Sequence, residues 1–204
     1  MKFISLLIIV LTLVGCVSIQ PSNLADLSLS SNYNANGKNI YLDYIVYEQT
    51  YIDYNSGKFV LEDVRKKGDV GGGYYVKMFN NRKYEIENLL KSYNYNLVEN
   101  KKDADRILTI EERLYQDFDG SVVKAVSTAT SMLTLGIMPN IQDEKNQYFY
   151  KVFDKNNKLI SRVDHNLEFT NIGSWIFQNK DKLKNARLQT HKEALAILVE
   201  QGAI

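Results

Sequence analysis

Residues 80–116 read NNRKYEIENLLKSYNYNLVENKKDADRILTIEERLYQ, and this stretch decides the fold. Tyr84, Ile86, Leu89, Leu90 and Tyr93 recur at helical spacing, and Asn80 or Asn81 can cap the first turn through its side-chain oxygen. Asn94 or Asn96 then offers a left-handed stop, because asparagine tolerates positive φ better than other residues with a Cβ. After Leu97-Val98 and a charged turn, ENKKDAD, the period changes from 3.6 to 2. Along Arg106–Tyr115, Ile107, Thr109 and Glu111 alternate with Leu108, Ile110 and Glu112, the pattern of a strand. Helix, turn, strand is therefore the expected central unit.

Working outward, residues 40–48 (IYLDYIVYE) are β-branched and aromatic and predict a strand. Asn55-Ser56-Gly57 marks a turn. Residues 59–67 fit no single pattern, and 68–73 (GDVGGG) form a glycine loop. No Lys-Ser or Lys-Thr follows that loop, so a phosphate-binding reading is not supported. Towards the C-terminus, 147–153 (QYFYKVF) and 158–170 (KLISRVDHNLEFT) predict a hairpin around Asp154–Asn157, then a turn at Asn171–Trp175. A last helix is expected from Asp181 to Gln201, with Leu183, Leu188, Ala194, Leu195, Ile197, Leu198 and Val199 on its apolar face and Gly202 ending it. The expected fold class is α+β, a mostly antiparallel sheet with two helices packed on one face. It follows an N-terminal signal peptide and a flexible tether.

Signal and tether come from the first 38 residues. Met1-Lys2 carries one positive charge, and Phe3–Val14 is apolar except for Ser5 and Thr12. A basic start, a short apolar stretch and a small residue before a cut make an export signal. Spanning a bilayer takes about 20 apolar residues, more than this stretch supplies. Leu13-Val14-Gly15-Cys16 resembles the lipobox of bacterial lipoproteins, whose cysteine is acylated and becomes the mature N-terminus. Cys16 is the chain's one cysteine, so no internal disulfide can form, and acylation removes a thiol that an oxidising compartment would attack. Each buried CH₂ contributes about 0.8 kcal/mol, and two or more chains hold stably. The resemblance implies palmitate-type acylation at Cys16 and a membrane partner bound through the acyl chains. With Val17 rather than Asp next, it also implies the outer membrane, facing the periplasm, over the inner.

Residues 16–38 are expected to form the lipidated tether, since their Ser- and Asn-rich composition buries little surface. Residues 39–204 are expected to form one α+β domain. Lys2 leaves with the signal, so 24 basic residues face 24 acidic ones and no basic excess recruits nucleic acid. The helix, the Ala104-Asp105 step into an apolar strand, and Thr134-Leu135-Gly136-Ile137-Met138-Pro139 together resemble a family of small, uncharacterised Gram-negative envelope lipoproteins. That likeness speaks to fold more than to activity.

Between Lys124 and Asp143 no charge occurs. Met132, Leu133, Leu135, Ile137 and Met138 in that run are either core or a hydrophobic interaction segment that leans on membrane or partner. Its 14 apolar-rich positions, 125–138, fall short of a membrane span.

Catalytic and metal signals are sparse. His165 and His191 are the two imidazoles, neither at zinc-ligand spacing with a second ligand, so no metal site and no cofactor are expected. His191 reads as a solvated or capping residue. Glu111 and Glu112 point to opposite faces, and their plain reading is an exposed edge. The 14 tyrosines could line a carbohydrate or peptide surface, or reflect base composition alone. A non-catalytic, protein-binding accessory or assembly factor is the first expectation. A periplasmic ligand-binding or glycan-acting domain, with His165, Glu168 or tyrosines around one cleft, is the second.

Overall fold

A computed structural model describes residues 16–20, 33–53, 58–67, 73–117, 140–173 and 180–204. The expected signal sequence, including Leu13, Val14 and Gly15, and the uncharged segment with Met132, Leu133, Leu135, Ile137 and Met138 lie outside them.

The strands are β1 (Cys16–Gln20), β2 (Asn39–Asp53), β3 (Lys58–Asp63), β4 (Asn96–Leu97), β5 (Arg106–Asp117), β6 (Asn140–Phe153) and β7 (Leu159–Gly173). The helices are α1 (Tyr74–Ser92) and α2 (Lys180–Glu200), with short 3₁₀ turns at Val64–Lys66 and Lys101–Asp103. The strand order is β1-β7-β6-β5-β2-β3, with β4 paired to β2. β1 runs antiparallel to β7, and β2 antiparallel to β3. β2 and β5 are parallel, with Leu42 opposite Leu108, Tyr44 opposite Ile110 and Val46 opposite Glu112. Parallel neighbours need a crossover, and α1 supplies it between β3 and β5.

This is the α+β class expected from the pattern, with a mixed sheet. The described residues divide into two compact units. One holds 16–20, 116–117, 140–145, 167–173 and 180–187; the other holds 33–53, 58–67, 73–115, 146–166 and 188–204.

In the larger unit the period-2 alternation decides which face is buried. Ile40, Tyr44 and Val46 of β2, Leu108 and Ile110 of β5, Tyr148, Tyr150 and Val152 of β6, and Val163 of β7 are all buried. Both helices cover that face: Phe79 of α1 stacks on Tyr44, and His191 of α2 packs edge-on against Tyr148. Ile86, Leu89 and Leu90 bury the inner side of α1, and Ala194, Leu195 and Leu198 that of α2.

Three boundaries differ from expectation. α1 starts at Tyr74, not at an Asn80 or Asn81 cap, and Gly73 at φ 76° precedes it without a side-chain cap bond. The packing of Phe79 on Tyr44 at 5.7 Å rewards the added turns. Both asparagines are exposed. Asn94 does adopt the left-handed stop, at φ 62°.

The expected turn at Asn171 is instead the end of β7, which runs to Gly173 opposite β1. Two parts of the expected tether lie among the described residues. Cys16–Gln20 pairs with Glu168–Ile172, because an open strand edge supplies the hydrogen bonds that composition alone does not reveal. Tyr33–Lys38 clasps the end of α1. Ala35 N–H donates to the Tyr93 carbonyl at 2.9 Å, Gly37 N–H to the Asn94 carbonyl at 3.0 Å, and Ala35 is buried.

Candidate functional site

Glu112 stands in phase with Leu108 and Ile110 on β5, so its carboxylate points into the core between sheet and α1, where it is 0 % exposed. It accepts hydrogen bonds from the Arg82 guanidinium of α1 and from the Tyr44 hydroxyl of β2. A buried carboxylate persists only when it is paired and hydrogen-bonded. Arg82 arrives because its helix position places it over β5, and its side chain is 16 % exposed. Burial acts to lower the Arg82 guanidinium, but the Glu112 carboxylate outweighs it and the net direction is up. The Tyr44 phenol is pushed well above 10.0, first by burial and then by Glu112 beside it. Ionisation of that phenol would set a second negative charge beside Glu112.

A second buried cluster lies under α2. The Tyr150 hydroxyl and His191 Nδ1 share a hydrogen bond of 2.6 Å, and both rings sit close to Tyr148. Burial, then Tyr148, raises the Tyr150 phenol well above its ordinary value. One strand over, His165 Nε2 lies 3.1 Å from Glu193 Oε2, and Gln189 Nε2 donates to the other Glu193 oxygen at 3.2 Å. These side chains satisfy one another. They fix the seating of α1 and α2 on the sheet, and none of the paired groups lines either groove described below.

On the opposite face of the sheet, aromatic and charged side chains of β5, β6 and β7 meet. Phe149 of β6 sits beneath two guanidinium groups, Arg113 at 4.6 Å and Arg162 at 5.3 Å. Glu111 pairs with Arg113 and with Lys151, and Arg162 with Asp164 at 2.7 Å. The Arg162–Asp164 pair is exposed and contributes little stability, whereas Glu111 is half-buried between its two partners.

Two open grooves flank α1. One, about 600 Å³, is lined by Tyr47, Leu61, Glu62, Asp63, Lys66, Lys67 and Tyr75. The other, about 470 Å³, is lined by Tyr41, Leu42, Lys83, Glu87, Lys91, Leu97, Val98 and Glu99. In the first, Asp63 caps the 3₁₀ turn by accepting from the Arg65 N–H at 3.0 Å and also pairs with its guanidinium at 2.7 Å. Burial alone would raise the Asp63 carboxyl, but its bonds to Arg65 hold it below 3.8. Lys67 pairs with Glu48 at 2.8 Å and lies 4.5 Å over the Tyr75 ring. Burial acts to lower Lys67, and Glu48 reverses that direction.

The residues singled out from sequence are scattered. Cys16 begins β1. Glu168 pairs with Lys145 at 2.5 Å, and His165 pairs with Glu193 in the core. Two readings are overturned outright. Glu112 is core rather than exposed edge, because it continues the Leu108-Ile110 face. His191 is buried rather than solvated, because it shares the α2 stripe with Leu188, Leu195 and Leu198. Both signals stood in the periodicity, and residue type concealed them. The Arg82 partnership had no local signal, since residues 82 and 112 meet only through the crossover.

Among the described residues no group of three or more His, Cys, Asp or Glu could hold a metal ion. No helix among them is long and apolar enough to cross a membrane, which says nothing of a β-barrel.

No family model matches the chain, and no curated protein matches it. Among solved structures it is similar to a PelC dodecamer from Paraburkholderia phytofirmans, at 10% identity and TM-score 0.31, covering 89% of this chain and 96% of that one. A point variant of the same protein gives 11% identity and TM-score 0.29, covering 88% and 99%.

Proposed function

We propose that the chain is a lipid-anchored, non-catalytic envelope lipoprotein, acylated at Cys16, that binds another envelope protein as an accessory or assembly factor at the outer membrane. The observation that carries this reading is Leu13-Val14-Gly15-Cys16 at the end of an export signal, with the chain's one cysteine at the acylated position. The non-catalytic part is supported by Glu112, His165, His191 and Glu193, which are buried and line neither of the two grooves beside α1. The Phe149 ring, with the Arg113 and Arg162 guanidinium groups over it, has the aromatic-plus-arginine character enriched at protein interfaces.

Labelled palmitate incorporation in cells, wild type against Cys16→Ala, tests the anchor. Label in wild type alone, in the outer-membrane fraction, is expected; an unlabelled wild type removes the reading. Affinity capture from those membranes then compares wild type with Leu135→Asp. A defined partner that is lost from a folded Leu135→Asp variant supports the uncharged segment as the contact, and a partner that is retained moves the contact elsewhere.

A further inference from the structure

We propose that the groove between β3 and the start of α1 binds an uncharged oligosaccharide, a site independent of how the chain is anchored. Its volume, about 600 Å³, falls within the range of small-ligand sites, about 300–1,000 Å³. Two tyrosines, Tyr47 from β2 and Tyr75 from α1, line it together with Leu61. A tyrosine presents apolar ring area with a polar tip. That combination suits a pyranose, whose C–H face is apolar and whose rim is hydroxylated.

The charges select the class. Glu62 and Asp63 supply acceptors, and Lys66 and Lys67 supply donors, around the same space. Asp63 is tied to Arg65 at 2.7 Å and Lys67 to Glu48 at 2.8 Å, so charge is balanced within each pair. With those two pairs balanced, a polyanion would meet the Glu62 carboxylate and a polycation the Lys66 ammonium. A neutral polyol meets donors and acceptors without a like charge. The walls are also preset: Lys67 sits over the Tyr75 ring, Tyr74 braces that ring edge-on at 5.4 Å, and the Asp63 cap fixes the 3₁₀ turn that carries Lys66. A ligand therefore need not order these groups on binding, which favours affinity.

Calorimetry on the full-length protein, in a detergent without a sugar headgroup, tests this with three probes. They are the tetramer of N-acetylglucosamine (uncharged), the tetramer of galacturonate (anionic) and the tetramer of glucosamine (cationic). The uncharged probe is expected to bind most tightly, with Tyr75→Ala and Tyr47→Ala each weakening it about tenfold and Tyr84→Ala, exposed on the same helix, leaving it unchanged. If circular dichroism shows Tyr75→Ala unfolded, Glu62→Gln serves as the surface variant and is expected to weaken binding severalfold. No heat from the uncharged probe, tighter binding of a charged one, or equal binding by the folded groove variants overturns the proposal. Loss of palmitate label with sugar binding retained would defeat the anchoring reading and leave this one standing.

Discussion

The Tyr150 hydroxyl lies 2.6 Å from His191 Nδ1, and this bond joins β6 to α2 inside the core. Tyr150→Phe keeps the ring and deletes the oxygen, so the packing against Tyr148 persists while His191 loses this partner. A buried polar group deprived of a hydrogen bond costs about 1–3 kcal/mol. Urea unfolding of Tyr150→Phe is expected to show a lower midpoint with an unchanged slope. A midpoint equal to wild type would mean the bond contributes nothing net.

Glu112 poses the sharper energetic case, because the group is a charge. Arg82→Met deletes the guanidinium and leaves the carboxylate in a site with no exposure. Breaking one side of a buried pair typically costs about 3–5 kcal/mol, whereas replacing both sides by apolar residues is often neutral. Arg82→Met is therefore expected to destabilise strongly, and Arg82→Met with Glu112→Leu to recover much of the loss. Additive losses in the double variant, measured by the same denaturation, would show that the pair is not the coupled unit described.

Much of this was legible from the chain. The strand over Arg106–Tyr115 became β5, the final helix fell within one residue of its expected ends, and Asn94 and Gly202 took the left-handed stops. The information was local in each case: a period, a turn residue, a cap. The parallel pairing of β2 with β5 was not legible, since strand direction depends on the path of α1 rather than on any residue in either strand. The same holds for the core clusters. Glu112 and His191 sit in phase with their apolar neighbours, yet a carboxylate and an imidazole read as surface until their partners, Arg82 and Tyr150, arrive from distant segments.

The buried phenols predict the alkaline limb. Tyr44 and Tyr150 are raised well above 10.0 in the folded chain, by burial first, and Tyr95 is also raised, by burial and then by Tyr33. A raised folded value means that the unfolded state loses its protons first. Their contribution is thus fully present below about pH 10 and is lost as pH rises from there towards the folded values. Stability measured by urea midpoint is expected to be level across neutral pH and to fall above about pH 10, with a shallower fall for Tyr44→Phe. An identical slope in that variant would show that Tyr44 ionises as readily folded as unfolded.

The pairing of β1 separates two pictures of residues 17–20. As a tether, residues 17–20 would expose their amides to water and exchange at the rates of an unstructured chain. As a strand, they alternate between hydrogen-bonded and open positions along β7, with Val17 opposite Asn171 and Ile19 opposite Phe169. Alternate amides in 17–20 are then expected to exchange at least about tenfold more slowly than free peptide, even at an edge where opening is easy. Ser18→Pro removes one amide and disfavours the strand, so protection should fall in its neighbours and in the facing amides of β7 together. Hydrogen exchange followed by mass spectrometry reads both segments in one experiment. Fast exchange throughout 17–20 in the wild type would return these residues to the tether and leave β7 as the free edge of the sheet.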